Sequence, residues 1–203
     1  MNPPRSLSPT KVGTGLVLIG LALLYFLEPL TQQRNVSFNF EADSSSISSI
    51  PLDIPLKVIV PDKSLKMKEG QNITFQELLG LDANSPETLL INLWATWCDP
   101  CMEELPTLNG LGKQLKANKS AEFPRLVTVS VDDRPEAILK TLKTFKPAVQ
   151  LMVLHDSNGV LSKKLGTRKL PETFLISSKG ALIRKWIGPQ DWLSGEILLG
   201  ITQ

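Results

Sequence analysis

The chain is poor in cysteine, histidine and tyrosine. Cys98 and Cys101 are its two cysteines, His155 is its one histidine, and a single tyrosine lies among only 6% aromatic residues. So few soft ligands leave no four-ligand zinc site, because Cys98 and Cys101 would supply half of one and His155 at most a third ligand. A disulfide scaffold is excluded as well. The loop that Cys98 and Cys101 can close is minimal, and a cross-link stabilises mainly by closing a long loop in the unfolded chain. An excess of either charge is also missing: 22 basic against 20 acidic residues give a net charge of +2 and no reason to expect a nucleic-acid partner.

Charge is absent altogether from Val12 to Leu27, sixteen residues that extend to about nineteen if Glu28, Pro29 and Leu30 lie at an interface. A spanning helix takes about 20 apolar residues and a signal-peptide core about 7 to 15. No small-x-small cleavage site follows Leu27, where the chain reads Glu-Pro-Leu-Thr-Gln-Gln-Arg, and no cysteine stands there for lipid attachment. Both absences favour an uncleaved anchor over a removed signal. Arg5 and Lys11 before the run predict a cytoplasmic N-terminus at 1–11, a transmembrane signal anchor at 12–30, and everything beyond it on the outer side of the cytoplasmic membrane. Residues 31–56, with Ser44 to Ser46, Ser48, Ser49, Pro51 and Pro55, read as a flexible spacer. The globular domain is expected at 57–203, and 42% hydrophobic content is enough for its core.

That domain turns on residues 89–106. Leu89 to Trp94 is a short apolar run without helical periodicity, suited to a strand buried on both faces. Ala95 to Trp97 is a turn, and Cys98 then opens a helix toward Ala117 in which Pro106 removes a backbone hydrogen bond and should bend the axis. Three residues apart on one turn, the two thiols can bond to each other, which makes them a redox pair. Leu56 to Val60 and Asn72 to Phe75 read as an N-terminal hairpin or extended pair, and Thr74-Phe75-Gln76-Glu77 as the capping box of a short helix ending at Gly80. Further along, Arg125 to Val131 reads as a strand and Asp132 to Pro135 as a helix start, with Leu139, Leu142 and Phe145 as its apolar stripe. Leu151 to Leu154 is the next strand, and Val160 to Leu165 a short helix stopped by Gly166. Leu170 to Ile176 is a strand entered through Pro171, Ala181 to Ile187 its hairpin partner, and Asp191 the expected cap of a last helix packing Trp192, Leu193, Ile197 and Leu198. These elements imply an α/β fold, a central mixed sheet flanked by helices.

Trp-Ala-Thr-Trp-Cys-Asp-Pro-Cys after a buried strand resembles the thioredoxin superfamily. Asn92 and Glu104 resemble its membrane-anchored branch, the TlpA/ResA-like and CcmG-like proteins, which includes the thiol reductases of cytochrome c maturation. The resemblance implies a thioredoxin-like fold and a cis Leu170–Pro171 bond facing the cysteine pair. Glu104 corresponds to an acid near the thiols in that branch and Glu172 to the acid after the cis proline in CcmG-like members. Asn92 stands where thioredoxin-like proteins often keep a buried acid. Disulfide-bearing protein clients, apocytochrome c among them, and a membrane thiol electron donor follow by the same resemblance; no cofactor beyond the Cys98–Cys101 disulfide does.

The chemistry needs a thiolate, and a free cysteine has a pKa of about 8.5. Cys98 at a helix N-terminus meets unpaired amides and the positive dipole end, so it is the attacking sulfur, and Cys101, one turn inside, resolves the mixed disulfide. The charge of Asp99 opposes thiolate formation and points to a reductase. Trp97, Leu170 and Pro171 are expected to receive the client, Trp97 as an apolar landing surface and the backbone around Pro171 by pairing with an extended segment. Two rival readings are a copper metallochaperone binding through Cys98, Cys101 and His155, since soft thiolates suit Cu(I), and a general thiol oxidant or isomerase, which differs only in reduction potential. Apart from copper binding, His155 reads as a bystander.

Overall fold

The apolar run at 89–94 forms β3 (Thr88–Trp94), buried at every position but the first. A strand so covered must have neighbours on both edges and layers on both faces, and it has both. In this computed structural model, which describes residues 50–202 apart from 52, 63, 64, 66, 81–87, 119, 121 and 122, the sheet order is β2-β1-β5-β4-β3-β6-β7. The other strands are β1 (Pro55–Val60), β2 (Asn72–Thr74), β4 (Arg125–Ser130), β5 (Val153–His155), β6 (Glu172–Ser177) and β7 (Leu182–Ile187). β3 runs parallel to β4 and antiparallel to β6, and β4 is parallel to β5. The expected anchor at 12–30, the N-terminus at 1–11 and most of the spacer at 31–56 lie outside the described residues. Among the described residues no helix is long and apolar enough to cross a membrane.

The helices are α1 (Phe75–Leu79), α2 (Asp99–Ala117), α3 (Pro135–Leu142), α4 (Val160–Lys164) and α5 (Gly195–Ile201). The crossovers β3-α2-β4 and β4-α3-β5 step the same way along the sheet, so their right-handedness puts α2 and α3 on one face. The core shows it. Leu105, Leu108 and Leu111 of α2, Ile138 of α3 and Ile197 and Ile201 of α5 pack with Leu90, Trp94 and Leu175 of the sheet. On the other face Phe75 and Leu78 of α1 and Leu161 of α4 pack with Leu89, Ile91, Leu93 and Phe174. Each fully buried Leu or Ile contributes about 1.5–3 kcal/mol relative to an exposed one.

Local chemistry sets the helix ends, with one departure from the sequence-based expectation. The capping box forms as expected: the Glu77 amide donates to Thr74 Oγ1 at 3.1 Å and the Thr74 amide to Glu77 Oε2 at 2.6 Å. The Thr74 amide foremost, and then the Thr74 hydroxyl, which donates to the same Oε2 at 3.0 Å, hold the Glu77 pKa below its ordinary value. Asp191, however, does not cap the last helix. Ser194 does, its hydroxyl accepting from the Ile197 amide, while Asp191 closes the preceding turn by accepting from the Leu193 amide at 3.2 Å. Helix α5 therefore starts later, which buries Trp192 completely and leaves Leu193 41% exposed. The third helix starts at Pro135, inside the stretch Asp132 to Pro135 expected for it, with Arg134 before it and no side-chain cap. Helix α2 continues through Pro106 to Ala117.

Candidate active site

Strand β3 delivers the chain to the site. After Trp94 the turn at 95–97 closes through the Cys98 amide donating to the Ala95 carbonyl at 3.2 Å, and Cys98 becomes the N-cap of α2. Its sulfur accepts from the Cys101 amide at 3.3 Å, and the two sulfurs are bonded at 2.06 Å. A capping sulfur occupies the position where an anion meets free helix amides. Cys98 is 6% exposed and Cys101 1%, so the first cysteine is the more exposed of the two. Beside them Trp97 is 67% exposed, an apolar side chain held at the surface next to the redox pair.

The neighbouring strand completes the rim. Leu170–Pro171 is cis, and the register Leu93↔Glu172 puts Pro171 beside the end of β3, where the turn to Cys98 begins. Leu170 packs against the cluster that contains both cysteines. The Pro171 carbonyl already accepts from the Gly188 amide at 2.9 Å. A second cis bond, Lys146–Pro147, had no counterpart in the sequence reading.

Below the cysteines lies a buried polar group. Glu104, three residues after Cys101 and on the same side of α2, is 3% exposed. Its Oε1 accepts from Asn92 Nδ2 at 2.8 Å, and its Oε2 from the Gln190 amide and Trp192 Nε1, both at 3.0 Å. Asn92 Nδ2 also donates to Thr173 Oγ1 at 3.0 Å. Desolvation raises the Glu104 pKa above its ordinary value of 4.5, against the Gln190, Asn92 and Trp192 hydrogen bonds, which lower it. Asn92, the residue in place of an acid, is thus a donor to the acid that is present.

Glu172 lies elsewhere. It pairs in register with Leu93, whose side chain belongs to the α1 and α4 face, and alternates with Thr173, which reaches Asn92 on the α2 face. Its carboxylate meets Lys185 Nζ at 3.0 Å, and that ammonium lies 4.9 Å from the Phe174 ring centre. The sheet therefore separates Glu172 from the cysteine helix. His155 ends β5, buried, with Nε2 2.6 Å from the Asp132 carbonyl. Among the described residues no three of His, Cys, Asp and Glu are grouped to hold a metal ion, so His155 does not join the two cysteines.

The sequence reading missed Asp132. Its carboxylate accepts from the Thr96 amide at 3.0 and 3.1 Å, from Thr96 Oγ1 at 2.6 Å and from Ser130 Oγ at 2.7 Å. It clamps the turn that presents Cys98. A buried Asp immediately after a strand looks the same in sequence as one that caps the next helix, so only the fold separates the two roles.

A bonded Cys-x-x-Cys pair at the N-terminus of the helix leaving a buried strand, with a proline opening the antiparallel neighbour of that strand, defines a thioredoxin-like thiol-disulfide oxidoreductase. The chain belongs to the AhpC/TSA family, whose pattern it matches over residues 57–185. It is 33% identical over 145 residues to the thiol:disulfide interchange protein DsbE of Pseudomonas fluorescens biotype C, spanning 70% of this chain and 73% of that one. To DsbE of Yersinia pestis it is 31% identical over 168 residues, 82% of this chain and 78% of the other. The thiol-disulfide oxidoreductase ResA of Bacillus thuringiensis subsp. konkukian is 29% identical over 122 residues, 60% of this chain and 64% of its own. Among solved structures, StoA from Bacillus subtilis shares the fold with a TM-score of 0.53 at 23% identity, over 75% of this chain and 100% of that one.

Proposed function

We propose that this oxidoreductase is a membrane-tethered reductase, held by residues 12–30 on the outer side of the cytoplasmic membrane and acting on disulfides of partner proteins, as in cytochrome c maturation. The observation that carries the reductase direction is the buried Glu104 one turn from Cys101. A carboxyl whose pKa burial has raised can receive the proton Cys101 must lose before it attacks. Before it takes that proton the carboxylate is ionised and opposes a neighbouring thiolate, as does the exposed Asp99. A dithiol that is less stabilised as thiolate is the better donor. In the reaction the Cys98 thiolate attacks a client sulfur, forming a mixed disulfide and releasing one client thiol. Cys101 then attacks Cys98, releasing the second thiol and leaving the Cys98–Cys101 disulfide. A membrane dithiol donor would return the two electrons and two protons. Apocytochrome c is the client that the family resemblance favours.

Equilibrating the full-length chain with glutathione buffers and reading the fraction oxidised tests the direction. The reductase reading expects a potential of about −200 mV or lower, and a value near about −120 mV, that of the oxidant DsbA, would overturn it. Replacing Cys101 with Ser should trap clients on Cys98, and the trapped chains name the substrates.

A further inference from the structure

Between Val160 and Pro171 the chain carries four cations, Lys163, Lys164, Arg168 and Lys169, and no acid. All four are exposed, and among the described residues none has an ion-pair partner. Lys163 and Lys164 lie in the last turn of α4, where a cation interacts favourably with the helix dipole. Arg168 and Lys169 lie beyond that helix and have no such local reason. They occupy the loop that runs straight into cis Pro171, beside the turn to Cys98. The one acid that follows them, Glu172, is buried against Lys185 and offsets nothing at the surface. The exposed acids around the site, Asp99, Glu103 and Asp133, belong to α2 and to the β4–α3 loop. The β4–α3 loop also carries the exposed Arg134, and Asp191 is exposed between β7 and α5, so the run at 163–169 is distinguished by having cations alone.

We infer that the loop at 166–170 is a cationic docking rim that selects client segments carrying acidic residues beside the cysteine to be reduced. The inference rests on the exchange reaction described above and names its substrate class. An extended client that reaches Cys98 past Leu170 would run beside Arg168 and Lys169, since the Pro171 carbonyl is already taken by the Gly188 amide. Carboxylates on it would there meet two unpaired cations, while lysines would be repelled. Complementary charge of this kind raises encounter rate and fixes register more than it adds affinity, and it is screened by salt.

The test uses the reduced full-length chain and two disulfide-bridged peptides that differ only in flanking residues, Asp and Glu in one, Lys in the other. The acid-flanked peptide should be reduced about tenfold faster at low ionic strength, with the ratio falling toward one as salt rises. In the Arg168→Glu, Lys169→Glu double variant the ratio should invert. Because it compares two substrates on one enzyme, a partial loss of folded protein cancels. A ratio near one at low salt, or a ratio the double variant leaves unchanged, overturns the inference. So does a double variant that keeps the peptide ratio but loses binding to vesicles of anionic lipid, which would make the rim a membrane contact. Neutral hydroxyethyl disulfide separates the two levels. If the unaltered protein reduces it but shows no peptide preference, the rim is wrong and the oxidoreductase stands; if it is not reduced, the parent reading fails.

Discussion

Glu104 concentrates most of the site's electrostatics in one residue. Its folded pKa lies above 4.5 because burial penalises the charge more than the Asn92, Gln190 and Trp192 donors favour it. For a raised acid the folded state holds the proton more tightly than the unfolded chain, so its stabilising effect is complete below the unfolded value and is lost as pH rises through the folded one. Glu104→Gln should therefore gain on the unaltered protein as pH climbs from about 4 toward neutrality, read from urea midpoints across that range. The same variant should slow exchange by about 10- to 100-fold if the carboxyl moves the resolving proton. Asp132 acts differently, by position. Removing its carboxylate in Asp132→Ala leaves the Thr96 amide and hydroxyl without their acceptor, at a cost of about 2–4 kcal/mol. Thr96→Val, which deletes only the hydroxyl bond, should cost about 1 kcal/mol. Denaturant titration of both variants checks the order.

Among the elements, α2 has the narrowest tolerance because it carries the cysteines and must sit close to the sheet. A Cβ built on Gly112 would come within 2.6 Å of Leu151 Cδ2 and 3.4 Å of Leu126 Cδ2. Alanine there can be absorbed by a turn of the leucine end, helped by a better helix propensity of about 1 kcal/mol. Valine cannot, and Gly112→Val should destabilise by about 1–3 kcal/mol, measurable as a lower urea midpoint. This close approach was not visible in the sequence, where Gly112 is one small residue in a helical stretch. The elements themselves were legible, because they rest on local signals. β3 showed as an apolar run of strand length, α1 as a capping box, and α4 as a helix with Gly166 behind it at φ +65°. The start of α5 was misjudged because Asp191 and Ser194 are equally good caps in isolation. Burial of Trp192 on Glu104 decides between them, since the chain must turn once more before the helix can begin.

At the scale of the whole molecule, membrane tethering rests on residues 12–30 and is open to direct test. The full-length chain should stay with the membrane fraction through high-salt and alkaline washes and leave it only with detergent, and protease added to the outer side should digest the domain at 57–203. Recovery in the wash would remove the tether from the proposal. A near-zero net charge also conceals an uneven one. With 22 cations and 20 acids the chain is close to neutral, yet Lys163, Lys164, Arg168 and Lys169 follow one another with no acid among them, which a total cannot show.

The sequence by itself determined the reaction class, since two cysteines on one helical turn after a buried strand, with a proline opening a later strand, are local facts carried by adjacent residues. Its reading of Glu104 as an acid near the thiols and of Glu172 as the acid after the cis proline was of another kind. Only the tertiary structure decided that Glu104 is held by Asn92, Gln190 and Trp192, and that Glu172 faces the other way against Lys185. The physical reason is that a strand alternates its side chains between the two faces of the sheet. Which face holds the cysteine helix is then set by the handedness of a crossover spanning thirty residues and more.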